Sequence, residues 1–173
     1  QAMRSGSRRL DIVGNLDWQP RVMRQTAAGQ FAPVELLATP LWGEEVVVAD
    51  LDGDGLDDIV VTNLDESSAG ILTVFYQGAD GSFGRRKLLP ASGPADQVPH
   101  HVRALDIDLD GRRDLVFSMG GTVLSSLRVI RQTAPGVFGV ASGPDDAGRW
   151  AEVADMDGDG LPDLISAGSG FVA

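Results

Sequence analysis

The sequence contains no cysteine, so no disulfide staples it and thiols say nothing about its redox compartment. No apolar run approaches the roughly 18 residues of a membrane-spanning helix, and no charged-then-apolar signal segment opens the chain. Basic residues are scarce, 14 Lys and Arg against 25 Asp and Glu, for a net charge of −11. That balance excludes nucleic acid as a partner, because phosphate binding needs clustered Lys and Arg. Only two histidines occur, and they are adjacent. With no Gly-x-Ser-x-Gly elbow and no phosphate-cradling glycine loop before a helix, no catalytic arrangement emerges, and the chain is not expected to be an enzyme. Helical periodicity is absent throughout. What remains, 43% hydrophobic and 23% charged over 173 residues, is a globular composition large enough for one ordinary core.

The acidity is concentrated. Asp50-Leu51-Asp52-Gly53-Asp54-Gly55-Leu56-Asp57-Asp58 sets aspartates at loop positions 1, 3, 5 and 9 and a glycine at position 6. Alternate residues of a tight turn aim their carboxylates inward, and a hard dication wants six to eight oxygens at about 2.3 to 2.6 Å. The pattern returns as Asp106, Asp108, Asp110 and Asp114 around Gly111, and as Asp155, Asp157, Asp159 and Asp163 around Gly160. Position 7, Leu56, Arg112 or Leu161, is placed to add a carbonyl oxygen. About three structural calcium ions are the expected cofactor. Three dications would return six charges and leave a net of about −5. The same carboxylates are thereby withdrawn from glycoside hydrolysis, which also needs an acidic pair.

An EF-hand would close its twelve-residue loop with a bidentate Glu and continue into a helix. Here position 12 is Val61, Phe117 or Ser166, and each ninth-position Asp is followed by a strand-like run such as Ile59-Val60-Val61-Thr62. The loops therefore join strands. Asp50 to Asp106 is a step of 56 residues and Asp106 to Asp155 one of 49, a repeat of propeller-blade length. Each unit reads as strand A, acidic loop, strand B, connection, strand C, Gly turn with an aromatic, strand D. Strand A is Val46 to Ala49, Val102 to Leu105 and Ala151 to Ala154. Arg21 to Phe31, Thr73 to Phe83 and Arg128 to Phe138 echo one another as strand C plus turn. The Phe after each Gly turn is expected to pack between units. Leu10-Asp11-Ile12-Val13 matches Asp57-Asp58-Ile59-Val60, but the ligand positions before Asp11 would be Met3, Ser5 and Ser7, which cannot bind calcium. Residues 1–8 are read as a tail and 9–173 as one repeat domain.

At these residues the chain resembles the FG-GAP/VCBS repeat family, the calcium-loop propeller repeats of integrin α-subunit heads and of many secreted bacterial and fungal proteins. Phe83-Gly84 and Phe138-Gly139 look like the Phe-Gly of the repeat, although no clear Gly-Ala-Pro follows. The resemblance implies an all-β β-propeller of four-stranded antiparallel blades, with calcium in the A-to-B loops on one rim. It implies a secreted or cell-surface location. This chain holds about three blades, fewer than a ring needs. Either it is part of a longer propeller or copies complete the ring, strand A near Ala151 to Ala154 of one pairing with Leu10 to Leu16 of the next.

Since the acidic loops occupy one rim, the opposite connections form the candidate ligand face. It carries Trp18, Trp42, His100, His101 and Trp150, with Asp17, Glu44, Glu45, Asp65, Glu66 and Arg149 beside them. Indole faces next to carboxylates and imidazoles suit a sugar ring and its hydroxyls. A zinc site at His100 and His101 is disfavoured, because adjacent side chains rarely converge and no third His or Cys exists. The reading is a non-catalytic, calcium-stabilised module for extracellular recognition or adhesion, with a protein or carbohydrate ligand. The alternative is an accessory propeller domain of a larger secreted polysaccharide-acting enzyme.

Overall fold

Short apolar runs punctuated by Gly and Asp turns favour strands, and strands are what they form. The computed structural model describes residues 2–4, 10–40, 42–93, 97–121, 125–145, 147–148 and 150–167, with no helix among them. In the first sheet β1 (Ala2–Arg4), β2 (Leu10–Leu16) and β3 (Gln19–Met23) lie side by side. A small hairpin of β4 (Gln25–Ala27) and β5 (Gln30–Phe31) leads to β6 (Glu35–Leu36) at the far edge. The second sheet is β7 (Gly43–Ala49), β8 (Asp58–Leu64), β9 (Gly70–Tyr76) and β10 (Arg85–Pro90), in chain order across the sheet. The third contains β11 (Val98–Leu105), β12 (Asp114–Gly120) and β13 (Ser125–Ile130), followed by the hairpin of β14 (Gln132–Ala134) and β15 (Val137–Phe138). A lone bridge from Val129 to Ser142 stands where β10 stands in the second sheet. Finally β16 (Trp150–Ala154) pairs with β17 (Asp163–Ala167). Every pairing is antiparallel.

Successive sheets share apolar layers. Val13, Val22 and Leu37 of the first meet Ile59, Val61, Phe75 and Phe83 of the second. On the other side of the second sheet, Val60, Leu72 and Val74 meet Val102, Leu115, Phe117 and Met119 of the third. Val116 and Leu127 then pack with Leu164 of β17. This explains why β8 and β12 read as continuous apolar runs: both of their faces are covered. Fully burying an aliphatic side chain contributes about 1.5–3 kcal/mol, so these layers hold the stack. Phe83 and Phe138 pack into the layers between sheets, as the sequence pattern leads one to expect; Phe31, expected to do the same, is exposed, because each of the other two packs against the preceding sheet and among the described residues none precedes the first.

The N-terminus differs from the sequence reading. Residues 2–4, placed there in a tail, form β1, with Ala2 opposite Ile12 and Met3 opposite Asp11. A strand needs only pairing geometry, not the acidic loop that signalled strand A elsewhere. The edge of β2 expected to receive strand A of another copy is thereby taken within the chain. Residues 1 and 5–9 lie outside the described residues.

Candidate metal centres

Each acidic loop is a short path from strand A to strand B, and its carboxylates are fixed by backbone N–H groups. In the first, Asp50 accepts from Gly53 N (2.7 Å) and Gly55 N (2.9 Å). Those glycines sit at φ +80° and +86°, a conformation that costs other residues energy. Asp58, fully buried, accepts from Leu51 N and from Gln77 N, both at 2.9 Å, and so ties the loop to the end of β9. Asp50, Asp52 and Asp58 each bring one oxygen within 4.8 Å of the others. That is the span of two oxygens facing each other across a calcium ion at about 2.4 Å. Asp52 Oδ1 is buried and has no hydrogen-bond partner, so one triad member carries an acceptor that a cation could satisfy.

Electrostatics agree. Burial pushes the Asp58 carboxyl from 3.8 up to about 7, against the lowering effect of the Gln77 and Leu51 N–H groups, with Asp52 and Asp54 adding repulsion. Burial raises Asp114 in the same way. A carboxyl raised by burial, and further by neighbouring aspartates, is one whose ionised form a cation could stabilise.

The second triad is Asp106, Asp108 and Asp114, the third Asp155, Asp157 and Asp163. Asp114 accepts from Ile107 N (3.2 Å) and Gln132 N (2.7 Å), and Asp163 from Met156 N (2.9 Å). Leu109, at the position where the other loops have Gly53 and Gly158, adopts φ +60°. The fifth-position residues Asp54, Asp110 and Asp159 stand outside the triads. Each accepts instead from the N–H of the position-7 residue, Leu56 (2.8 Å), Arg112 (2.9 Å) and Leu161 (2.8 Å).

The sequence reading missed two groups of residues. Gln77 and Gln132 donate their backbone N–H to the ninth-position Asp, and their side-chain amides to the carbonyls of Asp57 (2.7 Å) and Arg113 (3.0 Å). Gln25 N likewise donates to Asp11 (2.9 Å). The signal was available, since a Gln stands at the same place in all three echoes of strand C. Arginines form the second group, apart from Arg112, whose place inside the loop already set a positive charge against a cation. Arg85 bonds Asp52 and lies over the Tyr76 ring, 3.9 Å from its centroid. Arg112 bonds Asp110, and Arg131 reaches Asp108 at 3.6 Å. In the first sheet Arg24 reaches Asp11 (3.3 Å).

On the opposite side the bulges of β7 and β11 fall at matching places, between Gly43 and Val46 and between His100 and Arg103. They aim Glu44 and Glu45 at the two histidines: His100 Nδ1 lies 2.7 Å from Glu44 and His101 Nδ1 3.9 Å from Glu45. The His101 ring stacks on Trp150, centroids 4.1 Å apart. Gly43 N donates to Trp18 O (2.8 Å), which sets Trp42 beside Trp18 in the chain path. All three Trp side chains are exposed. Two expected members are occupied locally: Asp65 caps its own turn through Ser67 and Ala69, and Asp17 pairs with Arg21 at 3.3 Å. Arg149 lies outside the described residues. Among the described residues, the histidines join no group able to hold a metal.

An all-β chain that repeats a strand–acidic loop–strand unit, with one carboxylate triad per loop, is an acidic-loop repeat protein whose triads could hold metal ions. The FG-GAP-like repeat family matches residues 6–61, 50–117 and 106–166, and the chain belongs to that family. The matches overlap at the loops of Asp50 and Asp106, each of which falls within two of them, and the loop of Asp155 falls within the third. No curated protein matches the chain.

Proposed function

We propose that the chain is a non-catalytic β-propeller module, stabilised by about three calcium ions, that binds a carbohydrate or protein ligand outside the cell. The observation that carries the calcium reading is the convergence of three carboxylates per loop with the buried, unpartnered Asp52 Oδ1. An all-oxygen donor set favours a hard cation over zinc or copper, and a flexible loop of carboxylates suits calcium better than the rigid octahedron of magnesium. Asp50, Asp52 and Asp58, with their counterparts, would hold the ion, which supplies the charge that lets the triads stay ionised. Backbone N–H groups from strand C then keep the loop closed. Millimolar calcium, the range in which extracellular modules of this kind work, supports a secreted or cell-surface location.

The four sheets are read as successive blades. Ile12, Leu16 and Leu36 are exposed on the outer face of the first sheet and Ile165 on the last, so further blades, in the same chain or a second copy, would cover both ends. The recognition reading rests on the face of Trp18, Trp42, Trp150, His100 and His101, where exposed indoles stand beside Glu44 and Glu45. A glycan array tests it. Saturable sugar binding that is lost in Trp150→Ala supports the carbohydrate reading, and silence across the array transfers the face to a protein partner.

A further inference from the structure

In four places a guanidinium occupies a carboxylate that the repeat pattern assigns to a cation. The first repeat shows the permanent form. It retains the ninth-position Asp11, but its sequence has Met3, Ser5 and Ser7 at the spacing of the other ligands. Asp11 is 1% exposed, keeps its bond from Gln25 N, and gives its second oxygen to Arg24. Arg24 continues to the carbonyl of Gly81 in the next repeat's turn and lies 5.3 Å from the Phe83 centroid. In the calcium loop of the second repeat the corresponding connection is made by backbone, where Gly136 N donates to Leu51 O at 2.9 Å. In the first repeat an arginine thus makes the link to the next sheet that a backbone hydrogen bond makes in the second.

The strand-C position of Arg24 is Tyr76 in the second repeat and Arg131 in the third. Tyr76 carries no positive charge to pair with a carboxylate, and its hydroxyl donates to the Gly136 carbonyl at 3.2 Å. Arg85, from β10, takes over by lying on the Tyr76 ring and bonding Asp52 Oδ2, while Asp52 Oδ1 stays buried and unpartnered. Arg131 and Arg112 hold Asp108 and Asp110 of the second loop. Among the described residues, no basic side chain touches Asp155, Asp157, Asp159 or Asp163.

From the Arg85–Asp52 pair stacked on Tyr76 beside the triad, we infer that calcium enters the first loop by exchange, displacing Arg85 from Asp52, and that tethered arginines grade the loops at Asp50 and Asp106 in calcium affinity. The loop at Asp50 fills before the loop at Asp106, which carries two arginines and Leu109 at positive φ. Once displaced, Arg85 remains beside the cleft of about 310 Å³ that Asp52, Asp54, Tyr76 and Ser82 line.

The inference rests on the calcium reading of the loops, and the test separates the two. Amide resonances of Gly53 and Gly55 report the first loop, Gly111 the second, and Gly158 and Gly160 the third, so calcium titration of the full chain followed by NMR resolves each site. Arg85→Ala is expected to move the Gly53 and Gly55 midpoints to about tenfold lower calcium, the worth of a charged hydrogen bond, and to leave Gly158 and Gly160 in place. Arg86→Ala removes the same charge from the neighbouring residue, whose guanidinium bonds the Ala38 carbonyl at 2.9 Å instead, and is expected to change the midpoint less than about twofold, as for a screened surface charge. Arg85→Lys keeps the charge without the planar fork and should fall between wild type and Arg85→Ala. Equal effects of Arg85→Ala and Arg86→Ala, or an equal shift at Gly158, overturn the exchange. A third loop that binds while the first is unchanged by Arg85→Ala overturns the exchange alone, and silence at all three loops in every variant overturns the calcium reading with it.

Discussion

Asp58 makes the metal-free and metal-bound proteins respond to pH in opposite directions. Without a cation the folded chain keeps the Asp58 proton up to about 7, whereas an unfolded chain releases it near 3.8. Between pH 5 and 7.5 the folded state therefore binds more protons than the unfolded one, and stability falls as pH rises. A pKa rise of that size corresponds to at most about 4 kcal/mol, and for a chain of this length each kcal/mol moves the melting temperature by about 2–4 °C. Asp114 pushes in the same direction. With calcium present the ion needs the ionised carboxylate, and the same pH rise strengthens binding. Substituting Asp58→Asn removes the titrating group while keeping its shape, and groups common to both proteins cancel in the comparison. Differential scanning calorimetry of both proteins at pH 5, 6, 7 and 7.5, in chelator and in calcium, gives the test. In chelator the melting temperature of Asp58→Asn should gain on wild type as pH rises; in calcium it should lose. Parallel curves in chelator would refute the argument that burial of Asp58 strains the empty loop.

In the second loop, Leu109→Gly should raise the melting temperature, since a β-carbon at φ +60° costs about 1 kcal/mol; for the same reason Asp108→Ala should cost less stability in calcium than Asp52→Ala or Asp157→Ala, and the reverse order in thermal melts counts against this ranking. Gly143 adopts φ +147°, and a β-carbon there would run into the Leu127 carbonyl oxygen, so Gly143→Ala should destabilise the third sheet by several kcal/mol; unchanged chemical denaturation would contradict this. Light scattering at micromolar concentration should show self-association through the exposed end faces of Ile12, Leu16, Leu36 and Ile165. A monodisperse species of one chain's mass contradicts that part of the proposal.

Much of this architecture was legible in the sequence because acidic loops of fixed spacing leave an unusually rigid signature. The aspartates at positions 1, 3 and 9 converge as their spacing requires, and the residues after Asp58, Asp114 and Asp163 enter strands. Position 4 was legible too: Gly53 and Gly158 take positive φ, and Leu109 is forced to follow. The fifth-position aspartates were less so, because Asp54, Asp110 and Asp159 serve the position-7 N–H groups. What the sequence hid was long-range. Nothing local links Arg85 to Asp52 or Arg24 to Asp11; those pairs arise because antiparallel strands return the chain to its own loop. Residues 2–4 carry no acidic loop pattern, so β1 went unseen although its backbone pairs normally. On the opposite face, the matching bulges that bring Glu44 to His100 and Trp150 to His101 depend on how neighbouring sheets stack.

Thermal unfolding of the wild-type chain in excess chelator and in millimolar calcium tests the central claim most directly. At free calcium about 100 times the dissociation constant, each filled loop adds about 2.7 kcal/mol, so the melt in calcium should lie well above the melt in chelator. Identical melting temperatures in the two solutions would contradict the account of three structural calcium loops.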